Sequence, residues 1–356
     1  MKNKKIAKIE QNNNEENNKN GKKLIYLITG ATSGLGVELI KKLIKENCQI
    51  RVIVKDNFLL NPEWRKLPSG VIPFVVDLNV LSDKSSKILR DACKNVDIVI
   101  HIAGASYNSK FTFNQLIERN VLATEKVLKT IIEVNKKKNI QFIFTSSVTV
   151  YGYRYGEQKI TEETELHPSS HYSETKLMAE EVIKSFADVN PDIKYTILRL
   201  ATFYGPAYED PSFFKVFKLI EEKRMYYLGT MHNHLTFIHV SDVVDAILKV
   251  IDNKKAYNKI YNVTDGVAYT SKYLFDVIAK QLNVPPPNKK INLGIAKFVV
   301  KLFNINYDEF EFLASDRIID ISKIKKEIGF SPSRKLDKEG LEMIEDYLKI
   351  KNKIKV

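Results

Sequence analysis

From Leu24 onward the chain alternates short apolar runs with amphipathic stretches: LIYLIT, IRVIVK, IPFVVDL, VDIVIHIAG, IQFIFTSS and YTILRL, with helix-like spacing between them. Continuous apolar runs of this length are what parallel strands look like when crossover helices cover both faces of the sheet. The pattern predicts an α/β fold, a Rossmann-type doubly wound parallel sheet. After Arg199 the rhythm loosens. Gly205-Pro206, Asp210-Pro211 and Pro285-Pro286-Pro287 punctuate a region with more aromatics and longer loops, where a smaller C-terminal substrate-binding part is expected.

The first strand leads directly into TGATSGLG, and VELIKKLIK follows with helical spacing. Glycine lets the backbone turn tightly and approach a pyrophosphate, whose charge then sits at the helix N-terminus. Gly30, Thr32, Ser33, Gly34, Leu35 and Gly36 are therefore the candidate dinucleotide cradle. The second strand should end beside the adenosine ribose. An acid at its tip would favour NAD, but Lys55 occupies it, with Arg51 four residues earlier and Asp56 just after. A cation there suits the extra phosphate of NADP, so NADP is the expected preference, with NAD the alternative that Asp56 keeps open. Asp77 and Leu78, closing IPFVVDL, are placed to meet the adenine.

Tyr172 and Lys176 in HYSETKLMAEEVIKSF lie four residues apart, on one face of a helix. An ammonium beside a phenol favours the phenolate, so this pair is expected to lower the tyrosine pKa toward neutrality and exchange a proton. Of the seventeen tyrosines, Tyr155, Tyr172 and Tyr347 have Lys at the fourth following position, and only Tyr172 opens a helix with an apolar face. Ser147 ends the buried strand FIFTSS, where a hydroxyl would project into the cleft at the carboxyl end of the sheet and hold a substrate oxygen. Ser147 is preferred to Ser146 and Thr145 because neighbours on a strand point to opposite faces.

Taken as a set, these residues resemble the extended short-chain dehydrogenase/reductases, the NAD-dependent epimerase/dehydratase family. The similarity runs from about Leu24 to about Tyr347 through TGATSGLG, VIHIAG, NVLATEKVL, FTSSVTVYG, YSETK, LRLATFYGP, LTFIHVSDVVDAI, YNVTDG and DISKIKKEIGFSP. The resemblance implies an NAD(P)-dependent oxidoreductase with Ser147, Tyr172 and Lys176 as catalytic triad. Lys176 would also bind the nicotinamide ribose. It places Thr145, Asn120 and His101 through Ile102 and Ala103 to Gly104 along or behind the cofactor site, and Arg199 on a sheet-end strand. It also implies a homodimer through a four-helix interface that includes the Tyr172 helix. The middle glycine stands one residue later than in most extended members, giving the TGxxxGxG spacing of the shorter branch.

Members acting on nucleotide sugars usually carry a diphosphate-binding arginine where Leu235 opens LTFIHV, and an Asn after the Leu-Arg where this chain has LRLAT. IRVIVK resembles the dihydroflavonol and cinnamoyl-CoA reductases, and INLGIAKFVVKLFNI with DRIIDISKIKKEIGF resembles the 3-beta-hydroxysteroid dehydrogenase-like members. The expected substrate is accordingly a largely apolar ketone or alcohol. The alternative is a nucleotide-sugar epimerase or dehydratase with tightly held NAD. A non-catalytic nucleotide-sensing protein is the remaining reading, and the intact triad argues against it.

The organisation expected is an Asn/Lys-rich disordered tail over 1–22, a dinucleotide-binding part over 23–200 to which 236–264 returns, a substrate-binding part over 201–235 and 265–349, and a basic tail over 350–356. Net charge is +13, but residues 1–23 hold seven Lys against three Glu and residues 349–356 hold four Lys. The body is only mildly basic, without a cationic stripe interleaved with aromatics, so no nucleic-acid partner is expected. The tails could touch an anionic membrane surface, but solvated ends are the preferred explanation and membrane association is not expected. No apolar run reaches the roughly 18 to 20 residues that span a bilayer, and a cytoplasmic protein is expected. Cys48 and Cys93 fit no disulfide framework. His232, His234 and His239 lack the partners a metal needs, so no metal is expected. No G-x-S-x-G elbow is present to suggest a hydrolase. The stripe Leu293, Ala296, Val299, Val300 and Phe303 reads as core, or as a substrate lid or membrane-facing patch. Trp64 reads as packing.

Overall fold

The computed structural model describes residues 23–354 except 57–69, 81, 108–109, 136–138, 157, 206–210, 230, 303–306 and 337–341; Trp64, Phe303 and the N-terminal tail lie outside the described residues. Seven parallel strands form one sheet: β1 (Leu24–Thr29), β2 (Cys48–Val54), β3 (Val71–Val75), β4 (Ile98–His101), β5 (Ile140–Ser147), β6 (Ile193–Leu200) and β7 (Lys259–Val263). Their order is β7-β6-β5-β4-β1-β2-β3. The chain starts in the middle, builds one edge through β2 and β3, then returns past β1 to build the other. That reversal leaves a crevice at the carboxyl ends of β1 and β4, the switch point where doubly wound sheets hold ligands. The six apolar runs expected as strands are all found. The seventh strand, KIYNV, is too short and polar to stand out by pattern.

Helices cover both faces, which is why the strands needed no polar side. On one face lie α1 (Gly34–Leu43) and α5 (Val240–Val250), burying Leu39, Ile40, Val243 and Ile247. On the other lie α2 (Asp83–Cys93), α3 (Ala123–Val134) and α4 (His171–Val189), burying Leu89, Val127, Ile131 and Ile183. Cys48 and Cys93 are buried free thiols.

Over the carboxyl edge sits a smaller assembly. Strand 234–239 pairs in parallel with 202–204 and antiparallel with 268–270. A second apolar cluster joins it to the helices 211–221 and 271–281 through Phe213, Phe217, Leu274 and Phe275. A further helix, α6 (Leu293–Leu302), packs Ala296 and Val300 against Phe310 and Ala314. Among the described residues no helix is long and apolar enough to cross a membrane.

Candidate active site

The turn after β1 is shaped by two glycines. Gly30 adopts φ +70°, and a Cβ on it would come within 2.6 Å of the Ala103 nitrogen. A Cβ on Gly36 would sit 2.5 Å from the Gly30 carbonyl oxygen, so the first turn of α1 can close on the loop only without side chains. Ser33 caps α1, its Oγ accepting from Gly36 N at 3.1 Å. The result is a helix N-terminus presented by a tight glycine loop, the geometry that receives a pyrophosphate.

Tyr172 owes its place to another cap. Ser170 and Ser173 exchange side-chain to backbone bonds in a capping box, at 3.2 and 2.9 Å, so Tyr172 falls in the first turn of α4 and Lys176 one turn on. β5 delivers Ser147 beside them. A cavity of about 590 Å³ is lined by Ser33, Gly34 and Leu35 at one side and by Thr145, Ser147, Tyr172 and Lys176 at the other. The cradle and the proton-transfer candidates therefore share one space, in which Ile102 and Gly104 also take part.

The electrostatics differ from expectation at Tyr172. Burial pushes the phenol up to about 12, and the Ser147 hydroxyl, hydrogen-bonded to it, works the other way. Lys176 does not pull it down, because its Nζ donates to the Thr145 carbonyl at 2.9 Å and lies 4.8 Å from the centre of the Phe144 ring. Burial lowers Lys176 itself to about 8, against the pull of Glu180. In this arrangement burial favours the protonated phenol, and the Ser147 hydroxyl favours the phenolate.

The remaining expected cofactor residues divide into three groups. Gly30, Thr32, Gly36, Ala103 and Asn120 are not among the residues that line the cavity. Asn120 sits in a π turn over Ile117–Leu122, a local bulge of the kind that re-aims a side chain. Its Oδ1 accepts from Ala105 N at 2.7 Å and its Nδ2 donates to Thr175 Oγ1 at 2.9 Å, tying the 102–105 loop to α4. His101 is support, not lining: its ring bridges Thr29 Oγ1 at 2.8 Å and Thr124 Oγ1 at 3.0 Å, and burial drives its pKa down to about 3, so it is neutral. Lys55, Asp77 and Leu78 lie at the β2–β3 edge. Lys55 is 3.5 Å from Asp77, so the cation expected for a phosphate has a carboxylate beside it. Leu78 is buried in the core under α2 and α3.

Arg51 is a correction. Its Nη1 donates to the carbonyls of Asp91, Ala92 and Lys94 at 3.3, 3.0 and 2.6 Å, capping the C-terminal end of α2 instead of facing a ribose. A mid-strand residue points along the sheet normal to the covering helix, and the orphan carbonyls there suit a cation.

A buried ionic network that no local motif announces lies directly behind the site. Glu180 on α4 receives Arg199 Nε at 3.1 Å and Nη2 at 2.7 Å, and the Ser146 hydroxyl at 2.5 Å. Arg199 Nη1 donates to the Tyr151 hydroxyl at 2.9 Å, which donates to Asn262 at 2.8 Å. Ser146, though it also borders the cavity, commits its hydroxyl to this network, while Ser147 is hydrogen-bonded to Tyr172, the alternation expected of β5. His234 lies 3.2 Å from Asp316, and His239 receives Ser241 N at 3.2 Å.

The other half of the cavity belongs to the smaller assembly and is mainly apolar, with Phe213, Leu219, Met225, Phe237 and Phe310 on its wall. Ala296, Val299 and Val300 of the α6 stripe also face it. Leu235 is fully buried in the adjoining cluster.

Comparison with known proteins places this geometry. A UDP-glucose 4-epimerase of Vibrio cholerae is 24% identical over 337 residues, 92% of this chain and 96% of its own. A dTDP-glucose 4,6-dehydratase of Mycobacterium tuberculosis is 21% identical over 334 residues, 90% of this chain and 92% of its own. The solved structure of a UDP-glucuronic acid 4-epimerase from Bacillus cereus in complex with NAD has the same fold, with a TM-score of 0.72 at 21% identity over 92% of this chain and 99% of that one. These relatives are named for nucleotide-sugar chemistry, not for the steroid and flavonoid reductions that IRVIVK and INLGIAKFVVKLFNI had suggested. The model of the family "NAD dependent epimerase/dehydratase family" matches residues 26–264. With the glycine cradle, the Tyr172 helix and the full-length relatives in agreement, the chain belongs to the NAD-dependent epimerase/dehydratase family.

Proposed function

We propose that this chain is an epimerase or dehydratase that oxidises and re-reduces one secondary alcohol carbon of a sugar-like substrate with NAD held in place. The carrying observation is the single cavity that joins the Ser33–Leu35 loop to Ser147, Tyr172 and Lys176. Bound NAD supplies a hydride acceptor and, once reduced, a donor. The glycine loop and the N-terminus of α1 would hold its pyrophosphate, and Lys176 its ribose. Ser147 would hydrogen-bond the reacting oxygen. Tyr172, in its ionised form, would take the hydroxyl proton as the carbinol hydrogen leaves as hydride, and return it when the carbonyl is reduced.

A second reading has its own support. A net reduction of an apolar ketone with NADP is favoured by the apolar far wall and by Lys55 at the β2 tip. Two measurements separate them. A closed hydride cycle predicts that purified protein releases about one NAD per chain on denaturation and is thermally stabilised by UDP- or dTDP-sugars. Protein that carries no nucleotide, binds NADPH reversibly and ignores these sugars favours the second reading. Lys55→Asp tests the cofactor: with NADP as the natural cofactor, the variant's preference turns to NAD, and an unchanged ratio of affinities removes Lys55 from the argument.

A further inference from the structure

The apolar far wall contains one feature that does not fit an uncharged substrate. Arg317 lines the cavity at only 5% exposure, in the segment just before strand 318–319. Its backbone is fixed across strand 234–239: the Arg317 N–H donates to the His234 carbonyl at 2.8 Å, and the Thr236 hydroxyl donates to the Arg317 carbonyl. The guanidinium carbon lies 3.9 Å from the centre of the Phe312 ring, and Nη2 donates to the Phe312 carbonyl. Among the described residues it forms no ion pair with a carboxylate. Its neighbour Asp316 turns elsewhere, accepting from His234 N at 2.8 Å and Gly156 N at 2.9 Å. Lys215, the other cation on this half of the wall, is exposed.

An arginine remains protonated at pH 7, and a buried charge without a counter-ion is costly. Phe312, one carbonyl and the charge of the nearby Asp316 carboxylate relieve part of that. They leave a planar fork of donors without the anion for which it is shaped. The position relative to the reacting groups is also defined. The Phe312 ring centre is 6.0 Å from that of Tyr107, which meets Tyr172 edge-on at 5.7 Å. The cation is thus joined to Tyr172 through two intervening rings.

We propose that Arg317 is the substrate's anion anchor: it grips a carboxylate or phosphate while the rest of the molecule lies along the apolar wall with its reacting carbon at Tyr172. This rests on the reading of the cavity as the substrate site. It specifies a single anionic group in an otherwise apolar setting, whether carried by an acidic or phosphorylated apolar body or by a nucleoside diphosphate.

The test is calorimetric titration of the NAD-loaded full chain with octanoate, octyl phosphate, 1-octanol and UDP. The anchor predicts that at least one anion binds about tenfold or more tightly than 1-octanol. Preference for octanoate or octyl phosphate assigns the anion to an apolar body, and preference for UDP alone assigns it to a nucleotide. Arg317→Met should bring the anions to within about twofold of 1-octanol, and Arg317→Lys should retain part of the preference while losing the fork. Wild-type protein that binds no anion better than 1-octanol overturns the proposal without any variant, so a poorly folding Arg317→Met does not shelter it. Anion binding unchanged in Arg317→Met overturns it equally. Turnover that persists without anion preference defeats the anchor alone, whereas Tyr172→Phe with undiminished turnover defeats the hydride-transfer reading.

Discussion

Breaking the Glu180–Arg199 pair should destabilise the protein more than any surface ion pair could, and removing both partners should restore much of the loss. The side chains are 0% and 2% exposed, joined at 2.7 and 3.1 Å. Arg199→Met leaves Glu180 charged in the interior with only the Ser146 hydroxyl, and orphans one contact of Tyr151. Loss of one partner of a buried pair costs roughly 3–5 kcal/mol. At about 2.1 cal/mol/K of unfolding entropy per residue, a chain of 356 residues shifts by ~1.3 °C per kcal/mol, so the melting temperature should fall by roughly 4–7 °C. The double variant Glu180→Met/Arg199→Met removes both members of this buried ion pair and replaces them with side chains of similar volume. It should be more stable than either single variant, since such replacements are often near neutral. Thermal melts by circular dichroism at pH 7 and a fixed scan rate, on wild type, both singles and the double, give the coupling directly. Single losses below about 1 kcal/mol, or a double variant as unstable as the sum, would refute a tightly coupled buried pair.

Tyr172→Phe removes only the hydroxyl and should lower turnover by about 10²–10⁴ while leaving NAD affinity near wild type, read by fluorescence titration. Gly36→Ala puts a Cβ 2.5 Å from the Gly30 carbonyl and should weaken NAD binding at least tenfold, roughly, or unfold the first turn of α1; unchanged binding would show the loop to be slack. For Lys176, burial lowers the folded pKa to about 8 from 10.5, so the cost of burying its charge is fully present below about 8 and is relieved as pH rises toward 10.5. Relative to Lys176→Met, wild type should therefore gain stability between pH 8 and 10.5, by at most roughly 3 kcal/mol. Urea midpoints that run parallel across that range would contradict it.

The parts that local chemistry dictates were legible in the sequence. TGATSGLG must be contiguous to turn a strand into a helix around a phosphate, and Tyr172 and Lys176 must be one helical turn apart, so both declare themselves by spacing. β1 to β6 declare themselves because burial on two faces removes alternation. What stayed hidden depends on which element faces which. Glu180 reads as a surface acid in MAEEVIK, and nothing in that string reveals Arg199 on β6 as its partner. Arg51 sits in a strand that ends at the site, yet its side chain leaves perpendicular to that strand and meets the end of α2. The expected depression of the Tyr172 pKa failed for a similar reason. Spacing on α4 fixes that Lys176 shares its face, but the Thr145 carbonyl and the Phe144 ring, both from β5, decide where the ammonium rests.

The same distinction bears on substrate choice. Ser147, Tyr172, Lys176 and the glycine loop stand on the sheet and its first helices, whereas the far wall comes from 213–237, 291–300 and 310–317, carried on other elements. Hydride transfer needs only the first set. The wall can therefore differ between relatives without touching the reaction, and likeness along the motifs fixes the chemistry more firmly than the substrate. Leu235 is fully buried among apolar side chains, and across the same backbone ladder stands Arg317, whose N–H meets the His234 carbonyl. A wall with that one buried cation selects for one anion in a mostly apolar surrounding, which is a narrower statement than either a nucleotide sugar or a neutral ketone, and the titration of octyl ligands against UDP addresses it directly.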